Sequence, residues 1–276
     1  MPSPSRLRRQ LLALPLAAAL PSARGAGALQ TLRLPDPKAY SAHGGFFVEA
    51  LKLALNKTAD REPVPTLVHA PSDLPRPRLR QMLQDGQLDL IWSTTTPERE
   101  AQARPVRFNL LKGTNDLRFL LVRAADLPAM RSVRTLEALR QFRAGAGTYW
   151  SDTQILQANG FTVETAIKFD LLFRMLKAGR FDFIPRTRDE IDAELIQYAE
   201  LGFAELPGIA LQYKQPLYFF VTRDKPQLAE RLLRGLHLAA ADGSFDALFM
   251  AQPDLKAALA QLRNYSGLKL PLKALD

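Results

Sequence analysis

The sequence predicts a two-lobed α/β protein with mostly parallel sheets. Three observations support this fold class. Strand and helix patterns alternate along the chain. The composition, 47% hydrophobic and 24% charged, is that of a globular protein. One helix–glycine–strand pattern occurs once in each half. A chain of 276 residues is long enough to bury a core in each of two lobes.

In the first half, short apolar strands alternate with helices whose apolar residues recur at helical spacing. Gly86 follows one of these helices and can take the left-handed conformation that ends it. Strands are predicted at 30–35, 66–68 and 88–92, and helices at 46–57 and 79–83.

The second half repeats this alternation, with Gly160 and Gly179 in the same helix-ending position. Strands are predicted at 119–122, 144–149, 161–163, 181–184 and 217–222, and helices at 135–141, 152–159, 169–177, 227–241 and 246–252.

An internal repeat links the two halves. The segment 82–91 aligns with 175–184, and both contain Met, Leu, Gly, Asp and Ile at equivalent positions. Thr94 and Thr187 then follow at equivalent positions as well. Each copy is a helix, a glycine, a buried strand and a polar strand end, which indicates two similar lobes. Ligands bind beyond the carboxyl ends of such strands, so a cleft is expected between the lobes.

The composition excludes several kinds of site. The chain has no cysteine, which rules out disulfides, thiolate metal ligands and cysteine nucleophiles. Its three histidines have no metal-binding spacing, so we expect no metal and no cofactor. The arginines are scattered and lack a stacking-aromatic motif, which argues against a nucleic-acid partner.

Residues 1–28 have the features of an export signal. Four of the nine net positive charges lie there, without any acid. Three of them precede an apolar run, which is followed by small residues that end at Ala28. The alternative is an amphipathic helix of the folded domain. The run is too short to span a bilayer, so we expect a periplasmic protein without a membrane span after cleavage.

The first polar strand end is the segment 93–100. Thr95 and Glu98 fit a capping box at the start of a helix. Arg99 is not explained by capping. Its planar guanidinium suits a carboxylate ligand, although a surface salt bridge is an equal alternative.

Two further polar segments follow strands in the second half. In 145–153, small residues precede Trp150, Ser151 and Asp152 at a helix start, a natural anion site. Trp150 either lies across a ligand or fills the core. In 185–190, Thr187 and Glu190 form a second capping box, and Arg186 follows a buried strand.

The N-terminal region offers weaker candidates. Asp36 ends the first strand, where it contacts a ligand or simply makes an Asx turn. His43 and His69 are expected to be exposed loop residues without partners.

Taken in order, these segments resemble the extracytoplasmic solute-binding proteins of family 3, the polar amino acid receptors of ABC importers. The resemblance covers nearly the whole chain after the signal. It is carried by 45–46, 86–89, 94–99, 147–148, 179–182, 218–221 and 236–249, including Asp242-Gly243-Ser244.

The resemblance implies the type 2 periplasmic-binding-protein fold, in which two lobes joined by two hinge crossings close on a ligand. The crossings are expected near 111–119 and 213–220. The first lobe then comprises 29–115 and 221–276, and the second lobe comprises 116–220.

The resemblance also implies ligand contacts. Thr94 and Arg99 would bind the α-carboxylate of an amino acid, Phe46 would pack on the ligand, and Asp36 would meet the ammonium group. One departure is notable: Arg186 stands where the family commonly has an acid for the ammonium. A cation there would repel an ammonium group and favour a second anionic group, so an organic acid or a two-carboxylate compound is an alternative ligand.

Three functions remain open at this stage. The first is a monomeric solute-binding protein with an ABC permease as partner. The second is an enzyme on the same fold, such as a dehydratase, with Glu98, Asp152 or Glu190 as its acid or base. The third is a ligand-sensing partner of a membrane receptor.

Overall fold

The structure is a computed structural model that describes residues 31–38, 43–72 and 74–275. The predicted export signal at 1–28 lies outside these residues. Within the described ranges, no helix is both long and apolar enough to cross a membrane.

The first lobe is built on two small sheets. Its elements are β1 (Thr31–Leu34), α1 (Gly44–Asn56), β2 (Thr66–His69), α2 (Arg76–Gln84), β3 (Leu90–Thr94), α3 (Pro97–Gln102), β4 (Arg104–Val106), β10 (Leu217–Val221), α9 (Pro226–Ala241) and α10 (Ser244–Met250). β1 pairs with β2, and β10 lies between β3 and β4. Arg33 joins the two sheets, because its backbone oxygen accepts from the Asp89 N–H at 2.8 Å and its guanidinium pairs with the Asp89 carboxylate.

The second lobe surrounds a six-stranded sheet in the order β11-β9-β5-β8-β6-β7. Its elements are β5 (Leu117–Arg123), α4 (Leu127–Met130), α5 (Leu136–Leu139), β6 (Ala144–Gly147), α6 (Ser151–Ala158), β7 (Val163–Ala166), α7 (Phe169–Lys177), β8 (Phe183–Arg186), α8 (Arg188–Gln197), β9 (Phe203–Gln212), α11 (Pro253–Arg263) and β11 (Leu268–Pro271). A separate hydrophobic cluster covers each face of this sheet.

The sheets are mixed. β1–β2, β6–β7, β6–β8 and β9–β11 are parallel pairs. The strands next to the passages between the lobes, β10 and β5, run antiparallel to their neighbours. The chain passes from the first sheet to the second over 107–116 and returns over 213–216.

The C-terminal segment corrects the predicted lobe boundary. The sequence assigned 221–276 to the first lobe, but the chain crosses a third time after α10. β11 pairs with β9 in the sheet of the second lobe, and Leu270 and Leu272 are buried in its core. Burial of these leucines is the physical reason that the segment folds against the second lobe.

The core of the first lobe depends on a close approach of two helices. α1 packs against α9. A Cβ atom on Gly235 of α9 would lie 2.0 Å from the backbone oxygen of Ala54 in α1. Only glycine permits this separation, so the helix–helix contact is specified by one residue.

Candidate functional site

The two lobes meet at the ends of β3 and the start of α6. The hydroxyl oxygen of Thr94, the last residue of β3, lies 2.7 Å from that of Ser151, the first residue of α6. Both residues were predicted ligand contacts, and the structure brings them together. We call the group formed by Thr94, Arg99, Ser151 and the Tyr149 carbonyl the inter-lobe seam.

Arg99 reaches both lobes from α3. One guanidinium nitrogen, Nη1, donates to the backbone oxygen of Thr94 at 2.7 Å and to its hydroxyl at 2.9 Å. The other, Nη2, donates to the backbone oxygen of Tyr149 in the second lobe at 3.2 Å. A guanidinium held edge-on between lobes in this way can exchange these neutral acceptors for a carboxylate, which binds it more strongly.

The cap of α3 differs from the predicted one. The sequence assigned the capping box to Thr95 and Glu98. Instead, the buried Thr96 caps the helix, because its hydroxyl accepts from the Arg99 N–H at 3.2 Å. Thr95 donates to Glu100 at 2.6 Å. The Thr96 cap fixes the backbone of Arg99 and so helps aim its side chain at the seam.

A buried polar network lies next to the seam. The Oδ1 atom of Asp152 accepts from Arg118 Nε at 2.8 Å and from the Tyr213 hydroxyl at 2.6 Å. Arg118 also donates to the side-chain oxygen of Gln215, and the side-chain nitrogen of Gln215 donates to the Ser151 hydroxyl. The network therefore connects both passages between the lobes to the seam.

The charge state of Asp152 follows from these contacts. Burial alone would raise its pKa, but the Arg118 cation and the Tyr213 hydroxyl hold the pKa below its ordinary value. Burial and the Asp152 carboxylate raise the pKa of Tyr213. The sequence predicted that Asp152 contacts the ligand. Its carboxylate is instead enclosed by Arg118 and Tyr213, which gives it the role of positioning the start of α6.

Arg186 does not present an unpaired cation. Its Nε donates to both carboxylate oxygens of Glu194, at 2.8 and 2.9 Å, and its Nη2 lies 3.2 Å from Glu190. The side chain is buried, with its guanidinium 4.8 Å from the centre of the Trp150 ring and 5.6 Å from that of Phe169. The expectation that Arg186 would repel an ammonium group is therefore corrected.

The acidic and basic side chains are paired on this side of the second lobe. Arg118 and Arg186 interact with Asp152, Glu190 and Glu194, and Asp189 lies beside them on α8. Burial and the neighbouring carboxylates Glu190 and Asp189 raise the pKa of Glu194 to about 7, against the pull of Arg186. Arg186 therefore offers no open cation to a second anionic group, since Glu190 and Glu194 neutralise it.

Trp150 fills the core of the second lobe, which is one of the two roles that the sequence left open. The half-buried ring packs against Gly147, where a Cβ atom would lie 2.4 Å from it, and its centre is 6.3 Å from that of Phe169. Trp150 therefore contributes to the core of the second lobe while adjoining Ser151 at the seam.

Two predicted contacts lie elsewhere. Phe46 is buried in the core of the first lobe, with its ring centre 6.2 Å from Phe245 and 5.8 Å from Phe249. The prediction that it packs on the ligand is corrected, because its ring is enclosed by these aromatic side chains. Asp36 accepts from the backbone N–H of Lys38 at 2.7 Å, which is the Asx-turn alternative.

The sequence did not predict a second contact between the lobes. His43, just before α1, places its Nε2 atom 2.7 Å from Asp189 Oδ2 in α8, and both side chains are largely buried. His43 is thus not the unpaired loop residue expected, and His69 contacts the Pro35 carbonyl at 3.1 Å. No short-range signal connects residues this far apart in sequence.

Neither a metal site nor the inter-lobe cavity coincides with the seam in the part of the chain that the structure describes. Over the described residues, no group of three or more histidine or acidic side chains could hold a metal ion. A cavity of about 210 Å³ touches both lobes and is lined by residues that include Thr96, Ile155, Lys214, Gln215 and Leu275. Its lining does not include the seam residues Thr94, Arg99 and Ser151.

Comparison with known proteins identifies the fold. No protein-family model and no curated protein matches the chain. An ancestral arginine-binding protein bound to arginine is similar in structure, with a TM-score of 0.59 and 20% identity over 80% of this chain and 97% of that chain. The amino acid ABC transporter substrate-binding protein AbpA from Streptococcus pneumoniae, bound to L-arginine, has a TM-score of 0.59 and 16% identity over 84% and 96% of the two chains.

A histidine kinase sensor domain with similarity to periplasmic binding proteins is a third similar structure. Its TM-score is 0.60, with 13% identity over 88% of this chain and 99% of that chain. The chain therefore has the fold of the periplasmic binding proteins, and the predicted two-lobed α/β class is confirmed.

Proposed function

We propose that the chain is an exported solute-binding protein whose two lobes close on an amino acid and that it delivers this ligand, as a monomer, to an ABC permease. The observation that carries the proposal is the position of Arg99. Its guanidinium donates to both lobes at the point where they meet. A carboxylate bound there would draw the lobes together, because it would pair with Arg99 and accept from groups on both sides.

The charge of the second lobe supports an amino acid over an organic acid. An α-carboxylate would pair with Arg99, and the carboxylates of α8 beside Arg186 offer a counter-charge for an ammonium group. Two of the similar structures hold arginine, which agrees with this choice.

The contacts of Asp152 support binding rather than catalysis. A catalytic acid or base needs a pKa near the working pH and an open path to the substrate. Asp152 instead has a lowered pKa and is held by Arg118 and Tyr213. Glu190 is engaged in the capping box of α8 and in its contact with Arg186.

Export rests on the sequence of residues 1–28. A basic start, a short apolar run and small residues before Leu29 are the three parts of a cleavable signal. We propose a periplasmic location on this basis.

A thermal-shift screen of the chain from Leu29 tests the proposal. The panel contains L-arginine, L-lysine, L-glutamine, L-glutamate and succinate. A ligand at 100 times its Kd raises the free energy of unfolding by about 2.7 kcal/mol, which is easily detected. We expect stabilisation by one of the first three compounds without turnover. Stabilisation only by succinate would contradict the charge argument, and no shift with any compound would contradict the proposed function.

A further inference from the structure

The contact between His43 and Asp189 joins the lobes at a second place, separate from the seam. The Nε2–Oδ2 distance is 2.7 Å, and the exposed fractions of the two side chains are 15% and 9%. His43 precedes α1 of the first lobe, whereas Asp189 lies in the first turn of α8 of the second lobe. Opening the cleft would separate this pair.

The electrostatic surroundings of His43 come mainly from the opposite lobe. Asp189 and Glu190 face it from α8, whereas Asp254 faces it from the start of α11, next to Leu255 in the core of the first lobe. Burial lowers the pKa of His43, but these three carboxylates outweigh burial and raise the pKa above its ordinary value of 6.5. The His43 contact and nearby hydrogen bonds, including one from Thr187, lower the pKa of Asp189 despite its burial.

We propose that His43 and Asp189 form an inter-lobe salt bridge whose strength depends on one proton, so that ligand binding by closure is tighter in acid than in alkali. This inference rests on the proposed function, because it describes the regulation of the same closing movement. His43 acts as a positioning residue: it holds the lobes together and lies outside the seam.

The direction follows from linkage between closure and protonation. In the open form His43 leaves Asp189 and Glu190 and returns towards its ordinary pKa. The salt bridge therefore favours closure fully below about pH 6.5, and the preference is lost as the pH rises through the raised pKa of the closed form. Each unit by which closure raises the pKa of His43 strengthens binding up to about tenfold at low pH.

Glu194 also titrates in this range. Its pKa is raised to about 7, and it lies on α8 with Asp189. Replacing His43 therefore removes the contribution of His43 to the pH dependence of binding and leaves the contribution of Glu194 in place. The two contributions can thus be distinguished.

The experiment measures the Kd of L-arginine by calorimetry between about pH 5.5 and pH 8.5, where histidine titrates. It compares the natural chain with His43→Gln and with the control His69→Gln. We expect the natural chain and the control to bind L-arginine several-fold more tightly at the acid end. We expect His43→Gln to lose most of this dependence and to bind more weakly in acid. An equal pH dependence in His43→Gln would overturn the proposal.

A direct measurement of the His43 pKa separates this inference from the proposed function. NMR titration of the His43 ring gives this pKa in the L-arginine-bound chain, in which the lobes are expected to be closed. We expect a value above that of the L-arginine-bound Asp189→Asn variant. Failure of L-arginine to bind at any pH would count against the proposed function, whereas an unchanged His43 pKa in Asp189→Asn would overturn the salt bridge.

Discussion

Arg118 and Asp152 form a buried ion pair, with 2.8 Å between Nε and Oδ1. The pair lies next to Ser151, whose hydroxyl contacts Thr94 of the other lobe. Arg118 comes from β5, immediately after the first passage between the lobes, and Asp152 follows Ser151 in α6. Their pairing keeps the start of α6 in place, so the position of the Ser151 hydroxyl depends on two largely buried charges.

Removing one of these charges should be costly. We expect Arg118→Met to lower the free energy of unfolding by about 3–5 kcal/mol, because Asp152 is left buried without its cation. The double variant Arg118→Met/Asp152→Asn should recover a large part of this loss. Urea unfolding measures both, and a loss under about 1 kcal/mol in the single variant would contradict the role given to the pair.

Arg99 provides the sharpest test of the carboxylate contact. We expect Arg99→Ala to weaken amino acid binding by about 2–5 kcal/mol, the usual cost of removing one partner of a buried charge pair. Arg99→Lys should recover only part of it, because an ammonium group lacks the planar fork. The exposed Arg78 of α2 offers a matched control in the same lobe. Equal affinities of Arg99→Ala and Arg78→Ala, measured by calorimetry, would exclude Arg99 from the site.

The hydroxyl pair of the seam should act as one unit. We expect the losses of affinity in Thr94→Val and Ser151→Ala to be non-additive, with a coupling of about 0.5–1.5 kcal/mol in a double-mutant cycle. The coupling arises because either variant alone breaks the hydrogen bond of 2.7 Å. Strictly additive losses would show that the two residues contribute independently.

Two glycines of the first lobe should respond in opposite directions to alanine. Gly235→Ala places a methyl group 2.0 Å from the Ala54 oxygen, so we expect a loss of about 1–3 kcal/mol. Gly45 of α1 is exposed, and a methyl group there meets no described atom within 4 Å. Gly45→Ala should stabilise the chain by about 0.5–1 kcal/mol. Thermal unfolding compares the stabilities of the two variants. Equal changes in stability would contradict the close contact between α1 and α9.

Much of the fold was predictable from local patterns. The helices that end at Gly86 and Gly179 are present, and both glycines have positive φ, at 68° and 70°. A glycine after an amphipathic helix carries this information within a few residues. The return of β11 to the second lobe was not predictable in this way, because a strand of four residues gains its stability from a partner far away in sequence.

The position of the proposed site was predictable from strand ends, whereas the pairing of its charges was not. Thr94, Arg99 and Ser151 follow strand ends, and strand ends of a two-lobed α/β protein face the cleft. The neutralisation of Arg186 was missed, although Glu190 and Glu194 lie four residues apart and so share a helix face beside it. The pairing of His43 with Asp189 arises only from the approach of the two lobes.

The distance between the lobes in solution tests the central claim most directly. The chain has no cysteine, so Leu238→Cys in α9 and Ile196→Cys in α8, both at exposed positions, can carry a pair of spin labels. We expect the distribution of label distances to become shorter and narrower when the stabilising amino acid is added, and to stay unchanged in the Arg99→Ala background. The same distribution with and without that amino acid in the natural sequence would contradict closure on a ligand.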